Sequence, residues 1–287
     1  MKLTSIHTGH LKLDGGAMFG VVPKRMWAGM NPPDANNLCT WAMRTLLVET
    51  GDRKILIDTG IGNKQDDRFR SHFEPHGPQS LFDSLKQAGV RREDITDVFL
   101  THLHFDHCGG AIWKNEDTGL PEPAFPNAIY WTNEPHFRWA MDPNPREKAS
   151  FLPENFLPLY EQDRLCFIEV RQNIEFLHGF HVQFVYGHTE AMMVPVLDTG
   201  HGTVVYCADT IPSQWHVGLP YVMAYDVRPL VTMEEKAALL AEAVRKKQIL
   251  FFEHDPVAAA GFVVQDAKGR FALERTGTLA ELLAVRA

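Results

Sequence analysis

Apolar residues along this chain fall mostly in short runs that stop at Gly, Asp or Thr, the pattern of buried strands. RTLLVET (44–50) and KILIDTG (54–60) read as two strands turning at Gly51-Asp52. DVFLT (97–101) has the length and the branched and aromatic content of a third. In QSLFDSLKQAG the residues Leu81, Phe82, Leu85 and Ala88 share one helical face, and Gly89 can close the helix in the left-handed conformation. The second half repeats the mixture, with strands over VQFVYG (182–187), MVPVLDTG (193–200) and TVVYCAD (203–209). Met233, Ala237, Leu240 and Val244 then recur at helical spacing, and Arg245 to Lys247 suit the negative end of the helix dipole. Thr232 and Glu235 predict a capping box at the start of that helix. QILFFEHDP reads as a buried strand with a polar end, and VVQDAKGRFAL as a hairpin turning at Lys268-Gly269. The class is mixed α/β.

Two segments break the pattern. Residues 113–160 hold eight prolines interleaved with Trp131, Phe137, Trp139, Phe151, Phe156 and Tyr160. Proline there argues against long helices and central strands, which leaves a surface insertion packed by its own aromatics, or a lid or association surface. GGAMFGVVPKRMWAGMNPP (15–33), within an N-terminal apolar stretch that extends to residue 41, shows neither period. Its Gly and Pro spacing predicts a loop whose Met18, Phe19 and Trp27 line an apolar binding surface, or else core.

A length of 287 residues is expected to form one domain. With 28 Lys and Arg against 36 Asp and Glu the net charge is −8, and no basic stripe marks a nucleic-acid groove. Cys39, Cys108, Cys166 and Cys207 lack CxxC spacing, so neither a disulfide framework nor a thiolate zinc site is expected. No run is long enough to span a bilayer, and the N-terminus lacks a signal-peptide core, so the expectation is a cytoplasmic protein with no membrane and no nucleic-acid partner.

The strongest chemical signal is THLHFDHCGG, residues 101–110, directly after the DVFLT run. His102 and His104 leave the same side of an extended segment and can converge on one ion, while Asp106 and His107 lie where the chain begins to turn and can address a second. More donors are expected at other strand ends. His188 in VYGHTE, Asp209 in VVYCADT and His254 in ILFFEHDP each follow a buried run.

Together ILIDTG, THLHFDHCGG, GHTEAM, YCADT and FEHDP resemble the metallo-β-lactamase superfamily, in its order and over nearly the whole chain. The resemblance implies a four-layer αββα sandwich. It implies that His102, His104 and His188 hold one ion, that Asp106, His107 and His254 hold a second, and that Asp209 bridges them. Asp58 matches the early aspartate that orients the ligand loop. Zinc is the first choice of metal, with manganese, cobalt or iron also accepted by such ligands.

Within the superfamily, GGAMFGVVPKRMW followed by HLHFDHCGG looks most like the quorum-quenching N-acyl homoserine lactonases. Two positions depart from them: Ala191 stands where relatives often carry Gly, and Pro212 where many lactonases carry a tyrosine, leaving Tyr221 or Tyr225 to take that place. The implied chemistry is hydrolysis of a carboxylic ester, a lactone first, by a water that two ions make acidic. Asp106 and Asp209 are the catalytic carboxylates, with Asp106 shuttling the proton. Met18, Phe19, Trp27, Phe105 and Tyr225 are expected to touch a small-molecule substrate.

Phosphodiester and thioester hydrolysis are the alternatives, with a non-catalytic metal-binding scaffold behind them. A homodimer is open to the chain through the 113–160 segment and the N-terminal stretch.

Overall fold

The computed structural model describes residues 1–172 and 174–285, which divide into two compact units. The first comprises Met1–Gly9 and Met43–Arg171. Its sheet runs in the order Lys2–Asp14, Leu38–Thr50, Arg53–Ile57, Asp97–Phe99, Ile129–Thr132 and Leu165–Phe167, the first two strands contributing part of their length to this unit. The hairpin expected at Gly51-Asp52 is present, with Leu47 opposite Leu56. From Arg53–Ile57 onward the pairs are parallel. Strands buried on both faces need near-continuous apolar sequence, which ILI and DVF provide. The helix Leu81–Gln87 starts at Ser80, whose hydroxyl accepts from Asp83 N, and Leu81 and Leu85 join a core with Leu56, Val98 and Leu100.

The proline-rich segment corrects the reading made of it. Ile129–Thr132 is an internal strand between Asp97–Phe99 and Leu165–Phe167. Phe125, Tyr130, Phe137, Phe151 and Phe156 belong to the main core of the unit, not to a separate surface cluster. Proline fails to exclude this because none of the eight falls inside the strand; Pro135, Pro153 and Pro158 sit at helix starts, where the missing N–H is harmless.

The second unit comprises His10–Ala42 and Gln172–Ala287. Its sheet has the order Phe271–Gly277, Ala260–Gln265, Ile249–Phe251, Thr203–Tyr206, Met192–Asp198, Phe180–Val185 and Ile174–Leu177. All pairs are antiparallel except Thr203–Tyr206 with Ile249–Phe251, where Tyr206 stands opposite Phe251. A parallel pair requires a crossover, and the helix Pro229–Lys246 supplies it.

That helix begins three residues before the predicted capping box. Pro229 occupies its first position with φ already set, and Thr232 lies inside, its hydroxyl turned back to Arg228 O at 3.5 Å. Glu235 caps a strand end instead, accepting from the backbone N–H groups of Tyr186 (2.7 Å) and Gly187 (2.9 Å). Lys247, at φ +51°, closes the helix.

The loop predicted over 15–33 is also corrected. Two short helices, Gly15–Phe19 and Lys24–Trp27, form there, the first capped by Asp14 accepting from Ala17 N at 2.8 Å. Periodicity misses them because each is barely one turn long. The cysteines are free, as expected. Among the described residues no helix is long and apolar enough to cross a membrane.

Candidate metal centre

A common offset organises the candidate ligands. In the second unit the strands Phe180–Val185, Thr203–Tyr206 and Ile249–Phe251 point the same way, and His188, Asp209 and His254 each stand three residues past the last strand residue. In the first unit His102 stands three past Phe99. Side chains at equal distances beyond neighbouring strand ends lie at one edge of their sheet, where open α/β folds place ligands.

In the first unit the chain bends at Thr101, His104 is extended, and Phe105–Cys108 form a single helical turn. His102 and His104 each offer a ring nitrogen, the two within 4.8 Å of each other. The His102 ring centroid is 4.6 Å from that of His104 and 3.9 Å from that of His107. Asp106 Oδ1 lies 3.8 Å from His107 Nε2. All four are buried.

Asp58 holds this turn from behind. It follows the strand Arg53–Ile57 at φ +60°, a conformation that a short polar side chain tolerates better than most. Its Oδ1 accepts from Thr101 N at 2.8 Å and its Oδ2 from Thr101 Oγ1 at 2.7 Å, while His107 Nδ1 lies 3.4 Å from Oδ2. Thr101 Oγ1 in turn lies 3.1 Å from His102 Nδ1. The His107 carbonyl accepts from Thr59 N at 2.7 Å and from Thr59 Oγ1 at 2.9 Å. Gly109 and Gly110 are required by this closeness: a Cβ on either would stand 2.3 Å from a backbone oxygen, of Ile61 and Thr59 respectively. Burial pushes the Cys108 thiol up to about 12, and its Sγ donates to Leu103 O at 3.3 Å.

In the second unit, one oxygen of Asp209 lies 3.2 Å from His188 Nε2 and the other 3.1 Å from His254 Nε2. The far nitrogen of each ring meets an acceptor. His188 Nδ1 lies 2.9 Å from Asp226 Oδ1, and His254 Nδ1 lies 2.8 Å from Ala42 O. Such outer contacts fix the tautomer that leaves Nε2 as the lone-pair donor. His254 N donates to Pro212 O at 2.9 Å, so Pro212 meets the His254 loop through its backbone carbonyl. Ala191 has φ +50°, a conformation that a glycine adopts at less cost.

Buried imidazoles and carboxylates are donors that suit a divalent ion, and both units carry such residues.

The candidates for substrate contact separate. Met18, Phe19 and Trp27 are interior: Phe19 stacks on Trp27 at 5.0 Å and on His216 at 5.2 Å, with Trp41, Trp215 and Tyr221 around it. Tyr225 is 36% exposed. Phe105, between His104 and Asp106, is covered by Phe73 at 4.4 Å and Phe69 at 5.1 Å, both from the helix Asp67–Phe73.

Sequence reasoning missed Phe69 and Phe73, although their spacing of four was the available signal. It also missed Asp226, Glu147, His136 and Lys236, single residues that no spacing marks. Lys236 is fully buried, with Nζ donating to the carbonyls of His216 (3.1 Å), Gly218 (3.1 Å) and Tyr221 (2.9 Å), and burial pushes it down to about 7.

Comparison with known proteins agrees with this chemistry. An N-acyl homoserine lactonase of Bacillus thuringiensis is 21% identical over 241 residues, covering 79% of this chain and 86% of the relative. A probable metal-dependent hydrolase from Staphylococcus aureus superposes with a TM-score of 0.84 at 25% identity, over 96% of this chain and 97% of the other. The dizinc quorum-quenching lactonase AidC, solved with a product, shares the fold with a TM-score of 0.75 at 22% identity, over 94% of this chain and 92% of its own. The model of the metallo-β-lactamase superfamily matches residues 44–254. With HxHxDH after one strand and His188, Asp209 and His254 after three others, this chain belongs to the metallo-β-lactamase superfamily and has its mixed α/β fold.

Proposed function

We propose that the chain is a dinuclear metal-dependent hydrolase that opens a carboxylic ester bond, with an N-acyl homoserine lactone as the leading substrate. His102, His104, Asp106 and His107 of the first unit and His188, Asp209 and His254 of the second would jointly hold two ions, zinc first. The observation that carries this reading is Asp209, whose two oxygens face two different imidazole nitrogens at 3.2 and 3.1 Å, the disposition of a carboxylate that serves two ions at once. Membership of a metal-dependent superfamily and the lactonases among the relatives support it.

Ions bound there would supply a Lewis acid for the ester carbonyl and a water acidic enough to attack at neutral pH. Asp58, Asp226 and Ala42 O hold the rings of His107, His188 and His254 in place, so the ligand atoms need no reorganisation. Asp106, beside His107 and 8% exposed, takes the proton of the attacking water and returns it to the leaving alkoxide. The carbonyl carbon gains an oxygen, the ring C–O bond breaks, and the product is a hydroxy acid. Phe105 with Phe69 and Phe73 offers the apolar wall for an acyl tail, and Tyr225 a hydroxyl for the head group.

The experiment is a panel of acyl lactones, aryl esters and aryl phosphodiesters on one zinc- or manganese-loaded preparation, with His104→Ala as control. Proton release fastest with the lactones is expected. Release no faster than the control, or faster turnover of a phosphodiester, contradicts the lactonase reading.

A further inference from the structure

The proline-rich segment packs against the stretch around His104. His136 Nε2 accepts from Leu103 N at 2.8 Å, and Ser150 O accepts from Phe105 N at 2.9 Å. The Phe151 ring packs 4.7 Å from the His104 ring. Glu147, 2% exposed, brings Oε1 to 3.5 Å from His104 Nε2.

Glu147 is itself held. Its Oε2 accepts from Trp139 Nε1 at 2.7 Å and from Asn144 Nδ2 at 2.6 Å, and its backbone N–H reaches the Asn144 carbonyl at 3.2 Å. Trp139 and Asn144 are neutral donors. A buried carboxylate is costly unless polar partners are arranged around it, so a side chain fixed in this way at one oxygen presents the other in a defined direction. That direction is toward His104 Nε2, an approach of 3.5 Å.

We propose that Glu147 is a positioning residue for the metal centre: it holds the proton of His104 on Nε2 and so leaves Nδ1 as the atom offered to an ion. This rests on the reading of His104 as a ligand. It gives the 133–151 stretch a task, as a brace that sets both the backbone and the tautomer of one ligand. A neutral imidazole carries one proton, and its ligand nitrogen is whichever one lacks it. A carboxylate behind the ring also raises the basicity of the donor.

Glu147→Gln reverses the polarity at this contact. The amide oxygen can still accept from Trp139 and Asn144, but the amide N–H₂ then faces His104 Nε2 and favours the proton on Nδ1. Two readouts independent of turnover decide the matter. Nitrogen-15 shifts of the histidine rings in the metal-free wild-type protein are expected to show His104 protonated at Nε2 and to show the reverse in Glu147→Gln; an Nδ1–H tautomer in the wild type overturns the proposal, and needs no variant. Cobalt titration with chelator competition is expected to show one of the two ions bound about 10- to 100-fold more weakly in Glu147→Gln. Wild-type affinity for both ions in that variant overturns the proposal alone. Wild-type affinity in His104→Ala overturns the ligand reading as well, which separates the two failures.

Discussion

His188 Nδ1 lies 2.9 Å from Asp226 Oδ1, with both side chains buried. The second oxygen of Asp226 accepts from Met223 N at 3.2 Å, which anchors the carboxylate in its own turn. Replacing Asp226 by Asn keeps the shape and removes the charge behind the ring. The expected outcome is an affinity for the first ion reduced about 10- to 100-fold, read by chelator competition. An unchanged affinity would mean that Asp226 serves the turn and not the ligand.

Asp58 tests the support behind the other unit's proposed ligands. Asp58→Ala leaves Thr101 N and Oγ1 without their acceptor in a buried place and puts a β-carbon residue at φ +60° with no local hydrogen bond to compensate. The expected loss is about 2–4 kcal/mol, in urea unfolding of the metal-free protein. A loss below about 1 kcal/mol would contradict the bracing role.

Phe105, Phe69 and Phe73 meet ring to ring beside Asp106. If they receive an acyl tail, Phe69→Ala should raise KM for long-tailed lactones about tenfold and leave short-tailed ones within about twofold, since each methylene contributes of the order of 1 kcal/mol. Equal effects on both would place the tail elsewhere.

Burial pushes the His216 imidazole down to about 3, and the neutral ring is satisfied on both sides, by Met18 O at 2.8 Å and Ser213 Oγ at 2.7 Å. A base whose folded pKa lies below its unfolded value binds more protons when unfolded. Its contribution to stability is therefore complete above the unfolded value, about 6.5, and is lost as pH falls toward 3. The slope is at most about 1.4 kcal/mol per pH unit. Urea midpoints across this window are expected to fall less steeply in His216→Phe than in the wild type, and identical slopes would contradict the assignment.

Much of the fold, and the place of the candidate ligands just past strand ends, could be read from the sequence because both rest on short-range rules. A strand run such as VVY followed by a polar end needs only its own residues to be recognised, and HxHxDH is compact. What escaped depends on partners far along the chain. Glu147 and Asp226 matter only because folding sets them behind His104 and His188. Thr232 and Glu235 had the spacing of a capping box, yet Pro229 starts the helix and the strand end at Tyr186 and Gly187 takes Glu235. Ile129–Thr132 lay hidden in a proline-rich stretch because proline density says nothing of where each proline falls.

Metal content is the most direct test of the central claim. Elemental analysis of the purified chain is predicted to find about two divalent ions per molecule, reduced to one or fewer in Asp209→Ala. A wild-type protein without bound metal after incubation with zinc, or an Asp209→Ala variant that keeps both ions, would contradict it.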